Sequence, residues 1–407
     1  MAIMTVWIRK TQMHKNSKDN KPVKTEQEKQ TKGGIGHSTA LLVLLCVLLI
    51  AVSVVLVYML KNHNEAKKGA GEQLRLSAIA GFDCEYTEAQ QLYPFMNGLL
   101  KVSTSRITYM SISGNEIYGV DVEMSSPICK IAGGYAMVAD SDGFFCAMLT
   151  EEGLVFNKHM NGKIGNVALT PSGLSAVIID EGKSFGDVYI MEKDSSFLAQ
   201  WTSNESGYPI SLDFSPDESI LSVSLVDTDG SQMQPHVKQF SIPKDRSNAR
   251  PSEYALYSPQ VSDIMPLVAY SGNNYLAVAG INDVAVVGNG ECNLIDPAFP
   301  CVTTIFSYDG GFAVVYSEGL EQPVRLAIFS GNGVKKKEIE LGNQLRNFDV
   351  SGSKALLAVD EKIMLIDLSA GKVESTIPVD ETVIRVSFFG KKNICIVTSV
   401  GVRELTV

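Results

Sequence analysis

The residues of this chain best suited to chemistry are few and scattered. Asp227-Thr228-Asp229-Gly230-Ser231 sets carboxylates at alternate positions around a Gly turn, the opening of a calcium loop, but the downstream bidentate acid is missing. A polar hairpin turn is the simpler expectation, with the long connection from Asp227 to Ser262 running as a surface excursion. Past the first seventy-odd residues the only histidines are His159 and His236, far apart, and no H-E-x-x-H or paired C-x-x-C accompanies them. A quinone-dependent dehydrogenase would need tryptophans to stack on its cofactor and usually a vicinal Cys pair. The chain offers Trp7 and Trp201 and no Cys-Cys, and Trp201, in FLAQWTSNESG, is expected to pack on an outer strand. No G-x-S-x-G nucleophile elbow is expected, and no α/β stretch exists to carry a hydrolase domain. Asn204-Glu205-Ser206 would accept a glycan only on a eukaryotic secretory route.

Seven cysteines remain. Cys46 falls in an apolar run near the N-terminus, and Cys84, Cys129, Cys146, Cys292, Cys301 and Cys395 lie beyond it, a set of six that allows fifteen pairings. Cys292 and Cys301, bracketing NLIDPAFP, are the best candidates for a bridge, whereas Cys129, Cys146 and Cys395 sit in apolar runs where a buried free thiol is expected. No catalytic, cofactor-binding or metal-ligating residue is assigned.

The elements that position these residues divide the chain in four. Residues 1–37 carry eight Lys/Arg against three Asp/Glu and too little apolar content to fold, so a disordered basic cytoplasmic tail is expected. Residues 38–60, STALLVLLCVLLIAVSVVLVYML, contain no charge and as a helix would reach roughly 35 Å, enough to span a bilayer. Their length, and the run into Tyr58-Met59-Leu60-Lys61 without a small-x-small site, argue for an uncleaved anchor over a signal peptide. The basic tail and the scarcity of Lys/Arg downstream orient it with the N-terminus cytoplasmic and the C-terminal domain extracytoplasmic in the cell membrane. Residues 61–77 form a polar spacer. Residues 77–407 hold 23 Lys/Arg against 40 Asp/Glu, a surface that repels phosphate backbones, and no nucleic-acid partner is expected.

Across 78–407, short runs of Val, Ile, Leu, Phe and Tyr alternate with Gly, Asn, Asp and Ser turns, a strand signal without helical periodicity. A strand, turn, strand unit recurs from Leu92, Cys129, Val167, Leu212, Leu267, Thr304, Asn347 and Val386, at spacings of 37, 38, 45, 55, 37, 43 and 39 residues. That period fits a four-stranded propeller blade. The sequence therefore predicts an all-β propeller of eight blades, alternatively seven because the Leu92 copy is weakest. The last unit has about three strands, and the segment from Leu74 is expected to supply the fourth and close the ring.

Thr170-Pro171-Ser172-Gly173 and Ser215-Pro216-Asp217-Glu218 resemble the S-P-D-G turn of TolB-type and WD-repeat-like blades. Val359 to Ile377, VDEKIMLIDLSAGKVESTI, resembles the outer-strand pattern of quinoprotein-like and surface-layer propellers. With its basic tail and single anchor, the whole chain resembles a family of single-pass membrane proteins of Gram-positive bacteria known only as a domain of unknown function. The resemblance implies a fold and transfers no catalytic residue. The expected function is a membrane-anchored binding or scaffolding module of the cell envelope, its partner a protein, peptide or glycan. The alternative is a propeller lyase or hydrolase with carboxylates converging in the central channel. Acidic or basic side chains clustered in one funnel would favour the enzyme, and an apolar aromatic patch would favour the module. Deleting residues 1–73 is expected to leave a soluble, folded β domain by circular dichroism and size-exclusion chromatography, and an insoluble or disordered product would refute this boundary.

Overall fold

The computed structural model describes residues 78–406 apart from 88, 184, 205, 206, 248 and 320. The predicted tail (1–37), membrane helix (38–60) and spacer (61–77) lie outside the described residues. Among those described, no helix is long and apolar enough to cross a membrane. Thirty-two strands among them form eight antiparallel sheets of four, an eight-bladed propeller.

Blades 1 to 7 are consecutive stretches of chain: 90–121, 127–159, 163–202, 208–257, 267–294, 302–342 and 345–378. Each aligned hairpin of the sequence is the first two strands of a blade. That includes the Leu92 copy, Gln90–Phe95 with Gly98–Ser103, which makes the count eight rather than seven. Blade 8 takes three strands from 383–406 and its outermost from Ala78–Asp83, paired antiparallel to Gly401–Thr406 as expected. Arg403 strengthens this closure, donating to the Phe82 carbonyl at 2.9 Å and to Asp83 Oδ1 at 2.6 Å.

Position in the blade explains the sequence pattern of each strand. Second strands are covered on both faces by neighbouring blades, so Tyr135–Asp140, Lys354–Val359 and Asn393–Thr398 read as continuous apolar runs and are almost wholly buried. Outermost strands meet solvent, and Lys335–Gly342 turns polar. Eight hydrophobic clusters result, one at each junction between consecutive blades. Leu221, Val223 and Leu225 of blade 4 meet Ala176, Ile178 and Val188 of blade 3, and Leu99 of blade 1 meets Cys395 and Val397 of blade 8. Trp201 packs on the blade 3–4 cluster, edge-on to Phe240 at 5.0 Å, the predicted packing role.

The S-P-D-G-like turns join first to second strands. Ser215 Oγ donates to Asp217 Oδ1 at 2.7 Å and accepts from Ile220 N at 2.9 Å. Glu218 holds φ 58°, where the sister turn places Gly173 at φ 87°. The glutamate is kept in that costly conformation by bonding across the blade boundary, its carboxylate accepting from Ser172 N at 3.0 Å. In the Val359 to Ile377 pattern, Asp367 accepts from Ala370 N at 2.9 Å and Gly371 takes φ 60°, a turn linking Lys362–Asp367 to Lys372–Pro378.

Two expectations need correction. The connection from Asp227 to Ser262 is no excursion, because it contains Gln234–Ser241 and Ser252–Tyr257, the outer half of blade 4. Cys292 and Cys301 are not bridged, and all six described cysteines are free. The two diverge because Cys292, in Glu291–Leu294, packs towards the blade 4–5 cluster, while the loop after it carries Phe299 into the blade 5–6 cluster.

Closure is testable with two glycines that share φ +148°. A Cβ on Gly81 would stand 2.2 Å from the Val402 carbonyl oxygen of the closing pair, whereas one on Gly153 meets nothing within 4 Å. Gly81→Ala is expected to destabilise the chain by about 1–3 kcal/mol more than Gly153→Ala in denaturant unfolding. Equal effects would mean that the closing pair carries no special load.

Candidate functional site

The first strands of the blades line the central channel. Five of them carry a register shift of one residue: Lys163–Leu169, Tyr208–Phe214, Val302–Tyr308, Leu345–Ser351 and Val383–Phe389. The residue resuming the pairing after each shift is Asn166, Ser211, Thr304, Asn347 or Arg385, all polar and all three or four residues before the hairpin's closing pair. A bulge re-aims the side chain beside it, and here the two asparagines reach the next blade. Asn166 Nδ2 donates to the Ile210 carbonyl at 3.4 Å, and Asn347 Oδ1 accepts from Val386 N at 3.0 Å. Two residues on, on the same face, stand Asp213, Asp349 and Ser387, with Tyr93 and Lys130 at the matching register of blades 1 and 2.

The two channel carboxylates are already engaged. Asp349 Oδ2 accepts from Ser387 Oγ at 2.7 Å and Phe388 N at 2.8 Å, and Oδ1 accepts from Val350 N at 2.8 Å, which ties blade 7 to blade 8. Asp213 Oδ1 accepts from Phe214 N at 2.9 Å, and the carboxylate also takes the N–H of Tyr270 on blade 5. Burial pushes the Asp213 carboxyl up to about 6, against the pull of the Phe214 N–H, the Lys130 charge and the Tyr270 N–H. The channel cations differ. Arg385 lies over the Tyr93 ring with its guanidinium carbon 4.0 Å from the centroid, and its Nε is buried with no hydrogen-bond partner among the described residues. Neither Lys130 nor Arg385 forms an ion pair among the described residues. Two cavities, of about 490 and 230 Å³, open along this channel and share Lys130, Ile131 and Phe348.

A second concavity, of about 500 Å³, lies at the rim between blades 5 and 6. Blade 5's outermost strand, Glu291–Leu294, has four residues, so the following loop folds across the flank of blade 6. Its floor is the buried set Phe299, Tyr316 and Phe329, with Phe299 edge-on to Tyr316 at 4.8 Å and to Phe329 at 5.8 Å. Exposed Leu294, Pro297, Ala298 and Pro300 form its lip. Of the charges at its mouth, Glu318 pairs with Arg325 at 2.7 Å and Lys335 with Glu338, while exposed Asp296 forms no ion pair among the described residues.

Of the described residues singled out in the sequence for chemistry, the fold brings together only Asp227 and His236, with His236 Nε2 3.8 Å from Asp227 Oδ2 across adjacent strands of blade 4. Asp227 Oδ1 accepts from Asp229 N at 2.9 Å, a polar turn between strands. His236 Nδ1 lies 2.8 Å from Ser258 Oγ on blade 4, while His159 meets Phe145 edge-on in blade 2. No cluster of three or more metal-ligating side chains occurs among the described residues. The nucleophile-elbow expectation needs one correction. Gly182-Lys183-Ser184-Phe185-Gly186 does have the G-x-S-x-G spacing, but it connects Ser175–Asp180 to Asp187–Met191, strand to strand, where an elbow requires strand to helix. Ser184 itself, like residues 205 and 206 of the glycan triplet, lies outside the described residues. Sequence reading also missed the rim groove and the cavity that Lys130 and Arg385 both line; the polar residues interrupting apolar first strands were the available signal.

A family model described as "Family of unknown function (DUF5711)" matches residues 75–407. No curated protein sequence matches the chain. Among solved structures, Saccharomyces cerevisiae Sqt1 is similar at 11% identity with a TM-score of 0.58, covering 82% of this chain and 100% of that one. BamB from Moraxella catarrhalis is similar at 12% identity and 0.50, covering 82% and 98%, and Citrobacter koseri AztD at 10% and 0.51, covering 78% and 94%. At such identities the likeness is one of fold.

Asp213 gives the channel a pH signature. Its carboxyl is at about 6 when folded and 3.8 when exposed, so it is protonated in both states below 3.8 and stabilisation is then complete. Between 3.8 and 6 the unfolded chain ionises first, and stability falls by ~3 kcal/mol before levelling off. Asp213→Asn should remove that fall, so its stability relative to the parent should rise between pH 4 and pH 7 in urea unfolding. A pH-independent difference would contradict the assigned environment.

Proposed function

The chain belongs to the DUF5711 family, and from its geometry we propose that it is a membrane-tethered binding module. Its propeller is extracytoplasmic, and it docks an apolar or aromatic side chain of an extended protein segment in the groove between blades 5 and 6. The aromatic-floored groove carries this reading: it offers about 500 Å³ of mainly apolar concavity, with Glu318 and Lys335 at its mouth already paired. A wall of Phe, Tyr and Pro suits a peptide anchor better than a glycan, which presents hydroxyls. The channel gives less support to a hydrolase or lyase, because Asp213 and Asp349 accept backbone and hydroxyl hydrogens that a general base would need to release. Tethering rests on the uncharged stretch 38–60, and the outward orientation on the basic tail before it.

Both parts are testable with single cysteines in a background lacking native ones: Ser17→Cys in the tail, Ala298→Cys on the groove lip and Asp229→Cys in a blade 4 loop. A membrane-impermeant thiol reagent on intact cells should label Ala298→Cys and Asp229→Cys but not Ser17→Cys. Labelling at Ala298→Cys should be slower than at Asp229→Cys in cells and equally fast in the purified chain, since the partner is absent there. Labelling of the tail alone would invert the topology, and equal rates in cells would leave the groove without an occupant.

A further inference from the structure

The channel holds two cations that a docking groove does not explain. Several cations of the described domain are neutralised locally, Arg106 by Glu116, Arg325 by Glu318, Arg403 by Asp83 and Lys238 by Glu253. Lys130 of blade 2 and Arg385 of blade 8 have no such partner among the described residues, although they border the same cavity of about 230 Å³ with Tyr93 of blade 1 between them. In a domain with 40 Asp/Glu to 23 Lys/Arg, what sets these two cations apart is that they line one cavity and that one of them, Arg385, has a buried nitrogen without a partner among the described residues.

Arg385 is the sharper case. Its register position is held in four other blades by the neutral residues Asn166, Ser211, Thr304 and Asn347, of which Asn166 and Asn347 bond across to the next blade. A guanidinium there adds a charge that the ring does not need. Stacking on Tyr93 fixes its plane, yet buried Nε finds no acceptor among the described residues, an unmet donor that costs free energy unless something binds it. Asp349, on the same cavity, is not that acceptor, for both its oxygens are taken by Val350 N, Ser387 Oγ and Phe388 N.

We propose that the channel between blades 8, 1 and 2 binds a small polar monocarboxylate, its carboxylate held by Arg385 and Lys130. A single negative charge is specified because the channel wall also carries Asp213 and Asp349, which offset the two cations and disfavour a dianion such as phosphate. Size follows from the cavity, smaller than the usual range for drug-sized ligands. Polarity follows from the adjoining space, where Asn166, Ser211 and Thr304 can meet hydroxyl or amino substituents. This inference goes beyond the docking groove and stands without it, since the two concavities share no residue.

The test is ligand-observed NMR titration of the full-length chain with lactate and gluconate, beside lactamide and inorganic phosphate. Saturable binding of a carboxylate is expected, with at least tenfold weaker binding of lactamide and of phosphate. Lys130→Met and Arg385→Met should each weaken carboxylate binding about tenfold or more at an unchanged thermal midpoint, the loss of one charge-assisted contact. Should Arg385→Met fail to fold, Arg385→Lys, which keeps the charge but not the fork, should bind several-fold more weakly than the parent. No saturable carboxylate binding, equal binding of lactamide, tighter binding of phosphate, or unaltered affinity in folded Lys130→Met would each overturn the assignment.

Discussion

Everything in this domain depends on one strand pairing between residues more than three hundred positions apart. A four-stranded sheet rich in Val, Ile and Leu has two apolar faces and cannot bury both alone, so each blade needs a neighbour on either side. A linear row of blades would leave its two ends bare. Ala78–Asp83 laid along Gly401–Thr406 converts the row into a ring, and all eight junctions then carry equivalent clusters. Gly81 shows how close that pairing is: its missing side chain is the space in which the Val402 carbonyl sits.

Closure also dictates where polar residues can go. First strands face the channel on one edge and both neighbours on their sides, so their backbone is close to the adjoining first strand without pairing to it in a sheet. Side-chain acceptors bridge the gap. Asp349 reaches Phe388 N, Asn347 reaches Val386 N and Asp213 reaches the N–H of Tyr270, always forward to the following blade. These carboxylates are integral to the ring, which is why a channel containing acids need not be an acid–base catalyst. The same logic leaves hydrophobic packing to set the strength of the junctions and polar staples to set their register.

How far the sequence disclosed this varies with the range of the interaction. The hairpins were legible because a turn and its two strands lie within about fifteen residues, and because second strands, covered on both sides, lose the alternation of an ordinary strand. Ring closure was legible from a deficit: three strands at one end and an unpartnered run from Leu74 at the other. Cys292 and Cys301 misled because nine residues of separation say nothing about which blade junction each side chain enters. The blade 4 connection misled because Gln234–Ser241 mixes Pro235, His236 and Lys238 into a strand, and one of its buried members, Gln239, is itself polar. The bulges that place Asn166, Ser211, Thr304, Asn347 and Arg385 have no local signature, since they exist only relative to a partner strand. The G-x-S-x-G spacing at Gly182 is the opposite case, a local match whose strand-to-strand setting denies it meaning.

In a repeat of eight near-equivalent units, what the fold requires is whatever the blades share, and what remains is free to serve a partner or ligand. Blade 5 departs from its neighbours by ending in a four-residue strand, and the cost of that short edge is met by a loop that carries Phe299 inward and leaves Pro297, Ala298 and Pro300 on the outside. Blades 8 and 2 depart by setting cations where other blades have neutral or acidic groups. Neither departure improves the ring: a longer strand would cover the blade 6 flank better, and an Asn in place of Arg385 would satisfy its backbone neighbours without an orphaned donor. Features that the fold tolerates but does not use are where binding is to be sought. Here they lie at two separate places, one apolar and facing outward, the other cationic and inside the channel.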